Sequence, residues 1–347
     1  MSGRELPQNL NGKNQLLEIA LQNLQDVLTN SNPETDPALA DPLLLFGVGR
    51  SGSTMMLQYL AASGQFAYPS NVVSRFFQRP ALGHLVQSLL LDPKLDVGTQ
   101  FAQLRDGIAP YGFDSDLGKT TSPIEPNEFW YFWRRFFDFE SGVRLKSRAF
   151  LKEPGQGLVN EIAEWSAYAG RPVAMKATIA AWNTDRLLEG MPNARILIVR
   201  RDPVETMIAL LDARLRYWGD LKKWYGLKLP AAITLKTSDP LEEVALQVAT
   251  FDNLTERLSA DPRCSVVDYA AFCAAPTDQW DTPIFADYVA RGRIDIAQAK
   301  QKLAHVSFEF RAARLNLLKD HMNVDRAHLS KLYDKYRADL KDLEYYE

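Results

Sequence analysis

Leu43-Leu44-Leu45-Phe46-Gly47-Val48 is a continuous apolar run that passes straight into the turn Gly47-Val48-Gly49-Arg50-Ser51-Gly52-Ser53-Thr54. A short run with no polar alternation fits a strand buried on both faces. Beyond the turn, Met55, Met56, Tyr59 and Leu60 form a helical stripe that ends near Gly64, so the local order is strand, loop, helix. No other stretch narrows the fold as much. A strand buried on both faces needs a layer against each, which points to a parallel sheet between helices.

The rest of the chain agrees. Pro172-Val173-Ala174-Met175-Lys176 and Arg195-Ile196-Leu197-Ile198-Val199 read as two more buried parallel strands, with Trp182 to Glu189 helical between them. A fourth strand, Cys264 to Asp268, follows a long helical pattern from Leu241 to Leu258. Asn14 to Leu28 predicts one amphipathic helix, followed by the breaker-rich stretch Thr29 to Pro42. The expected organisation is an N-terminal arm and linker over 1–42, then a single α/β domain over 43–347. That domain carries a helical, aromatic insertion at about 76–170 and a charged, helical C-terminus from Ile294 onward. The expected fold class is P-loop NTPase-like, a three-layer α/β/α sandwich around a central parallel sheet.

With 347 residues, 46% hydrophobic and 24% charged, the chain has ample material for one large core. Its 40 basic residues against 43 acidic ones leave a formal charge of −3. No global positive field exists to hold nucleic acid or an anionic membrane, so neither is expected as a partner, and any anion site must be local. Cys264 and Cys273 have no metal-ligand spacing and fit a reducing compartment. Met1 to Asn11 lacks an apolar signal region, and no window reaches the ~18 apolar residues of a membrane span. A cytoplasmic location is expected, with oligomeric state left open.

A strand–glycine turn–helix unit aims backbone N–H groups and the positive end of a helix at one point, which makes an anion site. Gly47 and Gly52 are spaced as in G-x-x-x-x-G, but Ser53-Thr54 stands where a kinase or ATPase needs Lys-Ser or Lys-Thr. The loop's cation is Arg50, ahead of the second glycine, with Ser51, Ser53 and Thr54 as hydroxyl donors. Gly49 to Thr54 therefore suits a phosphosulfate held without metal, by amides, hydroxyls and one guanidinium.

These residues resemble the sulfotransferase family, in particular its bacterial and tyrosylprotein-type members, whose loop reads much like G-x-x-R-S-G-T-T. Arg200-Arg201-Asp202-Pro203 resembles the family's R-D-P element, which implies that Arg201 holds the 3′-phosphate of PAPS. Lys176 resembles the lysine that approaches the reacting sulfonate, and Tyr269 the tyrosine of the Y-E-D-L element beside the nucleotide. Together these elements span residues 43 to 276 in the family order. The chain departs from the pattern at Ala209, where the family usually has a serine sharing the 3′-phosphate; Thr206 or Arg214 on the same helix is the expected substitute. It departs again at Ser70-Asn71 and Thr178, where other members carry a catalytic glutamate or histidine.

A base is still needed to take the acceptor proton. Glu128, and after it Glu125, are the candidates, in Pro123-Ile124-Glu125-Pro126-Asn127-Glu128-Phe129-Trp130. That segment also reads as a helix start, with the glutamates in its first turn serving the cap and dipole. His84 lies in an apolar helical context and reads as packed or surface-facing. The aromatic run from Phe129 to Phe139 reads mostly as core, with a minority, and Trp218, Trp224 and Tyr225, as candidates for an acceptor pocket. The resemblance implies transfer of a sulfonate from PAPS to a hydroxyl or amine of a small-molecule or carbohydrate-like acceptor. The alternatives are a P-loop kinase or NTPase and a non-catalytic nucleotide-binding protein on the same scaffold.

Overall fold

A computed structural model describes residues 36–92, 101–106, 112–138, 144–145, 157–229, 237–318, 321–322 and 324–340. The helix expected over Asn14 to Leu28, and most of the linker after it, lie outside the described residues. The four expected strands are present: β1 (Leu43–Phe46), β2 (Ala174–Lys176), β3 (Arg195–Arg200) and β4 (Cys264–Asp268). They form one parallel sheet in the order β2-β1-β3-β4. Leu43 pairs with both Ala174 and Arg195, and Arg200 with Asp268.

The unbroken apolar run of β1 follows from its neighbours. Leu44 and Phe46 point into one core with Met175, Ile196 and Ile198, while Leu43 and Leu45 point into another with Leu197, Val199 and Val267. All four β1 side chains are fully buried, and each contributes about 1.5–3 kcal/mol of apolar burial. The second core is closed by α1 (Ser53–Ser63), through Met56, Leu57 and Leu60. In the insertion, α2 (Pro80–Leu91), α3 (Trp130–Phe136) and α4 (Leu158–Ala169) add helices on the first side. That side also holds α5 (Pro203–Trp218) and α6 (Pro240–Leu258). Helices on both sides of a parallel sheet make the three-layer α/β architecture expected from the sequence.

Two local expectations need correction. Pro123 to Glu128 is not the first turn of a helix: α3 starts at Trp130 after Phe129 in the left-handed region at φ 59°, and no acidic residue lies in its first turn. The two prolines and the reciprocal bonding of Asn71 with this segment hold it as a loop: Asn71 N donates to Glu125 O at 3.0 Å, and Asn127 Nδ2 donates to Asn71 Oδ1 at 2.8 Å. Among the described residues, the C-terminal part is helical in α7 (Ile296–Leu303), α8 (Arg326–Asp339) and a short 3-10 turn, Leu315–Leu318, and not between them. Between Val306 and Arg314 the chain has no regular secondary structure, and its aromatic residues, Phe308 and Phe310, pack across Tyr59, Phe272 and Tyr269.

Candidate active site

The carboxyl ends of the four strands open into one cleft of about 1410 Å³, the place where open parallel sheets hold ligands. The loop after β1 forms its floor. Gly52 stands at the N-cap of α1 with φ 101°, and no side chain caps that helix end. Its first N–H groups are therefore left for something in the cleft. Only glycine fits position 52, since a Cβ there would lie 2.3 Å from the Tyr269 ring. Arg50 also adopts a left-handed conformation, at φ 72°. Gly49, Arg50, Gly52, Ser53 and Thr54 face the cleft. Ser51 does not: its hydroxyl is buried under Gly47, where a Cβ would meet it at 2.3 Å.

At the end of β2 the Lys176 ammonium donates to Thr54 Oγ1 at 3.0 Å and to Glu128 Oε1 at 2.5 Å. The carbonyl of Lys176 accepts from the Trp133 indole at 2.9 Å, so the strand end is anchored by α3. Far from a solvated strand tip, the lysine side chain is only 13% exposed. Glu128 also accepts from the Trp130 indole at 2.7 Å. Burial pushes the Glu128 carboxyl up, but Lys176, Trp130 and Lys119 outweigh it and hold the group below its ordinary value. A tight turn, Asp116 to Lys119, closed by reciprocal backbone bonds of 2.9 and 2.8 Å, lies directly over this trio. At its Gly118, φ is 84°, and a Cβ would lie 3.2 Å from Thr54 Oγ1, 3.3 Å from Glu128 Oε1 and 3.8 Å from Lys176 Nζ.

Arg201 follows β3 and sits between two rings, 5.2 Å from the centroid of Tyr269 and 5.6 Å from that of Phe310. It donates to the carbonyl of Arg50 at 3.3 Å, to Glu205 Oε2 at 3.3 Å and to the carbonyl of Arg311 at 2.6 Å. Asp202 is not its partner; it caps α5 by accepting from Glu205 N. Glu205 in turn accepts from Ala313 N at 2.5 Å and from Arg326 at 2.5 Å. The segment Val306 to Arg314 thereby becomes the wall of the cleft on this side, bringing Arg311 and Arg314 to it.

The model of the Sulfotransferase family matches residues 42–281. The chain belongs to the sulfotransferase family. Among solved structures it is similar to the sulfotransferase STF9 from Mycobacterium avium, with 16% identity over 95% of this chain and 83% of that one and a TM-score of 0.45. It is also similar to the sulfotransferase STF1 from Mycobacterium tuberculosis H37Rv, with 14% identity over 92% and 81% and a TM-score of 0.46. A search of curated proteins finds no match.

Most of the sulfotransferase residues read from the sequence meet in the cleft: the loop from Gly49 except Ser51, with Lys176, Glu128, Arg201 and Tyr269. Glu125 does not. It is buried, accepting from Gln58 Nε2 and from the amides of Thr121 and Ser122, and it ties the insertion to α1. Neither expected substitute for the serine at Ala209 faces the cleft. The Thr206 hydroxyl donates back to the carbonyl of Asp202, and Arg214 is buried against Glu243 and the carbonyl of Leu221. His84 lies on α2 away from the cleft, and burial, aided by Arg171, pushes it down to about 4. Among the described residues there is no cluster of three or more His, Cys, Asp or Glu able to hold a metal, and no helix long and apolar enough to cross a membrane.

The sequence reading missed the Gly118 turn and the Phe310 to Arg314 wall. Asp116-Leu117-Gly118 carried an ordinary turn pattern that could have marked the first. The second had no local pattern, because its place depends on Glu205 and Arg201 more than a hundred residues upstream.

Proposed function

We propose that the protein moves a sulfonate group from PAPS to a hydroxyl or amine of a small-molecule or carbohydrate-like acceptor, releasing PAP. The observation that carries this reading is the Lys176 ammonium held between Thr54 of the loop and Glu128 on the opposite wall. The sulfotransferase family generally uses PAPS, and the residues here fit it: an uncapped helix end and Arg50 for the phosphosulfate, Arg201 for the 3′-phosphate. In the reaction the bond from sulfur to the bridging oxygen breaks, a bond to the acceptor oxygen or nitrogen forms, and one acceptor proton leaves.

Arg50 and the first amides of α1 hold the phosphate side of the donor. Lys176, within reach of Thr54, hydrogen-bonds the bridging oxygen as charge develops there. As the lysine turns to that oxygen it releases Glu128, whose affinity for a proton then rises, and the carboxylate takes the proton of the acceptor. Parking the base on the lysine keeps it ionised until both substrates are in place. Gly118 and its turn cover part of the trio.

Thermal-shift titration with PAP, ATP–magnesium and buffer tests the donor side. PAP at 100 times its dissociation constant stabilises the protein by about 2.7 kcal/mol, ATP–magnesium much less. Labelled PAPS then gives labelled product with acceptors from a hydroxyl and amine panel. A stronger response to ATP–magnesium than to PAP would overturn the reading in favour of a kinase or NTPase. PAP binding without turnover on any acceptor would leave a binding protein.

A further inference from the structure

The cleft is far more basic than the chain around it. Arg50, Lys176, Arg201, Arg311 and Arg314 line it beside the loop and the Arg201 wall, and Lys119, Arg134, Arg216, Lys223 and Lys228 line it as well. The only acidic side chains lining it, among the described residues, are Glu128 and Asp212, in a chain with more acidic than basic residues overall. A donor with a 3′-phosphate and a phosphosulfate carries about four negative charges, which matches the first group, so the second group is more than the donor alone calls for.

That second group sits on an aromatic wall. The Tyr217 and Trp218 rings meet edge to face at 4.7 Å, and Tyr217 meets Tyr225 at 5.6 Å. The Lys119 ammonium lies 5.0 Å from the Tyr217 centroid and that of Lys223 5.6 Å from the Trp218 centroid. Arg216 has carboxylates, Asp116 and Asp212. Lys119, Lys223 and Lys228 have none within ion-pair distance among the described residues. Ring faces hold the Lys119 and Lys223 ammonium groups in place without using up their N–H donors, and Lys228 lines the same cleft with no carboxylate beside it among the described residues.

Resting on the sulfonate-transfer reading above, we infer that the acceptor is itself an anion: a molecule with a ring to lie on the aromatic wall and, beyond its reacting hydroxyl or amine, a carboxylate, sulfate or phosphate held by Lys223 and Lys228. Two kinds of molecule carry that chemistry, an acidic aryl alcohol and an acidic sugar.

The test pairs each anionic acceptor with a neutral isostere: hydroxyphenylacetate against its amide, and a glucuronide against the matching glucoside, with labelled PAPS. The expected result is a kcat/KM at least about tenfold higher for the anionic member of one pair, which also tells aryl from sugar. In the Lys223→Gln/Lys228→Gln double variant that preference falls about tenfold through KM, with the PAP thermal shift kept. Equal or better use of the neutral members in both pairs, or a double variant with unchanged preference, overturns the inference while PAP binding and turnover leave sulfonate transfer standing. Loss of the PAP response in the wild type overturns both.

Discussion

The floor of the cleft and its far wall are built in opposite ways. The floor is one continuous loop, Gly47 to Thr54, whose conformation follows from its own glycines and from the strand and helix on either side. The wall is assembled from three separate stretches: the Asp116–Lys119 turn, Glu128 with α3, and the Tyr217–Lys228 segment. A phosphosulfate of constant shape can be met by backbone geometry, which a short sequence motif can encode. An acceptor is met by side chains brought together through tertiary packing, which can change without disturbing the floor. Lys176 is where the two halves touch, bonded to Thr54 on one side and Glu128 on the other.

Cutting that link should have the largest effect. Lys176→Met should lower kcat by about 10²–10³-fold with PAP binding retained, since loop and Arg201 are intact. It should also move the acid limb of kcat/KM. In the wild type Glu128 is held below its ordinary value of 4.5, so its base form persists under pH 4.5 and activity is lost only as pH falls through that lowered value. Without the lysine, burial acts with less opposition, and the limb of the residual activity should rise toward higher pH. The same group should stabilise the fold above its ordinary value and lose that contribution as pH falls through the lowered one. An unmoved acid limb in the variant would mean that Glu128 is not the base.

Gly118→Ala tests the wall where it meets the floor. A left-handed conformation costs a side chain about 1–2 kcal/mol, and the new methyl would press on Thr54 and Glu128. We expect a lower melting temperature and a kcat reduced by about tenfold through displacement of the trio, with the PAP shift close to wild type. If kcat holds while stability falls, the turn only covers the site and does not set its geometry.

This contrast explains what could be read from the sequence. The sheet was legible because β1 and β3 are apolar on both faces, and their periodicity alone demands two cores. The loop was legible because its anion-binding groups are consecutive. Glu128 led Glu125 only narrowly, by its place directly before the aromatic run. They are three residues apart, and only the fold shows one turned inward to the amides of Thr121 and Ser122 and the other outward to Lys176. Arg201 was found as a residue, but its anchoring to Glu205 and to the carbonyl of Arg311 depends on a segment with no periodicity of its own. Thr206 illustrates the same limit: a threonine inside a helix can satisfy its hydroxyl on the preceding turn, and here it does, at 2.9 Å from the carbonyl of Asp202.

The smallest expected effect lies on the donor side, at Ala209. It lines the cleft from α5 at 9% exposure, and neither Thr206 nor Arg214 supplies the hydroxyl of the serine expected at this position. Restoring it by Ala209→Ser adds one donor toward the 3′-phosphate. A hydrogen bond gained in exchange for one to water is worth about 0.5–1.5 kcal/mol net, and in the absence of ligand the serine costs about 0.5 kcal/mol of helix propensity against alanine. PAP should therefore bind about three- to tenfold tighter, while the melting temperature without ligand falls slightly. Adenosine 5′-phosphosulfate, which lacks the 3′-phosphate, should gain nothing from the substitution. Equal gains for both nucleotides would place the 3′-phosphate elsewhere, and the assignment of Arg201 to it would fall with that result.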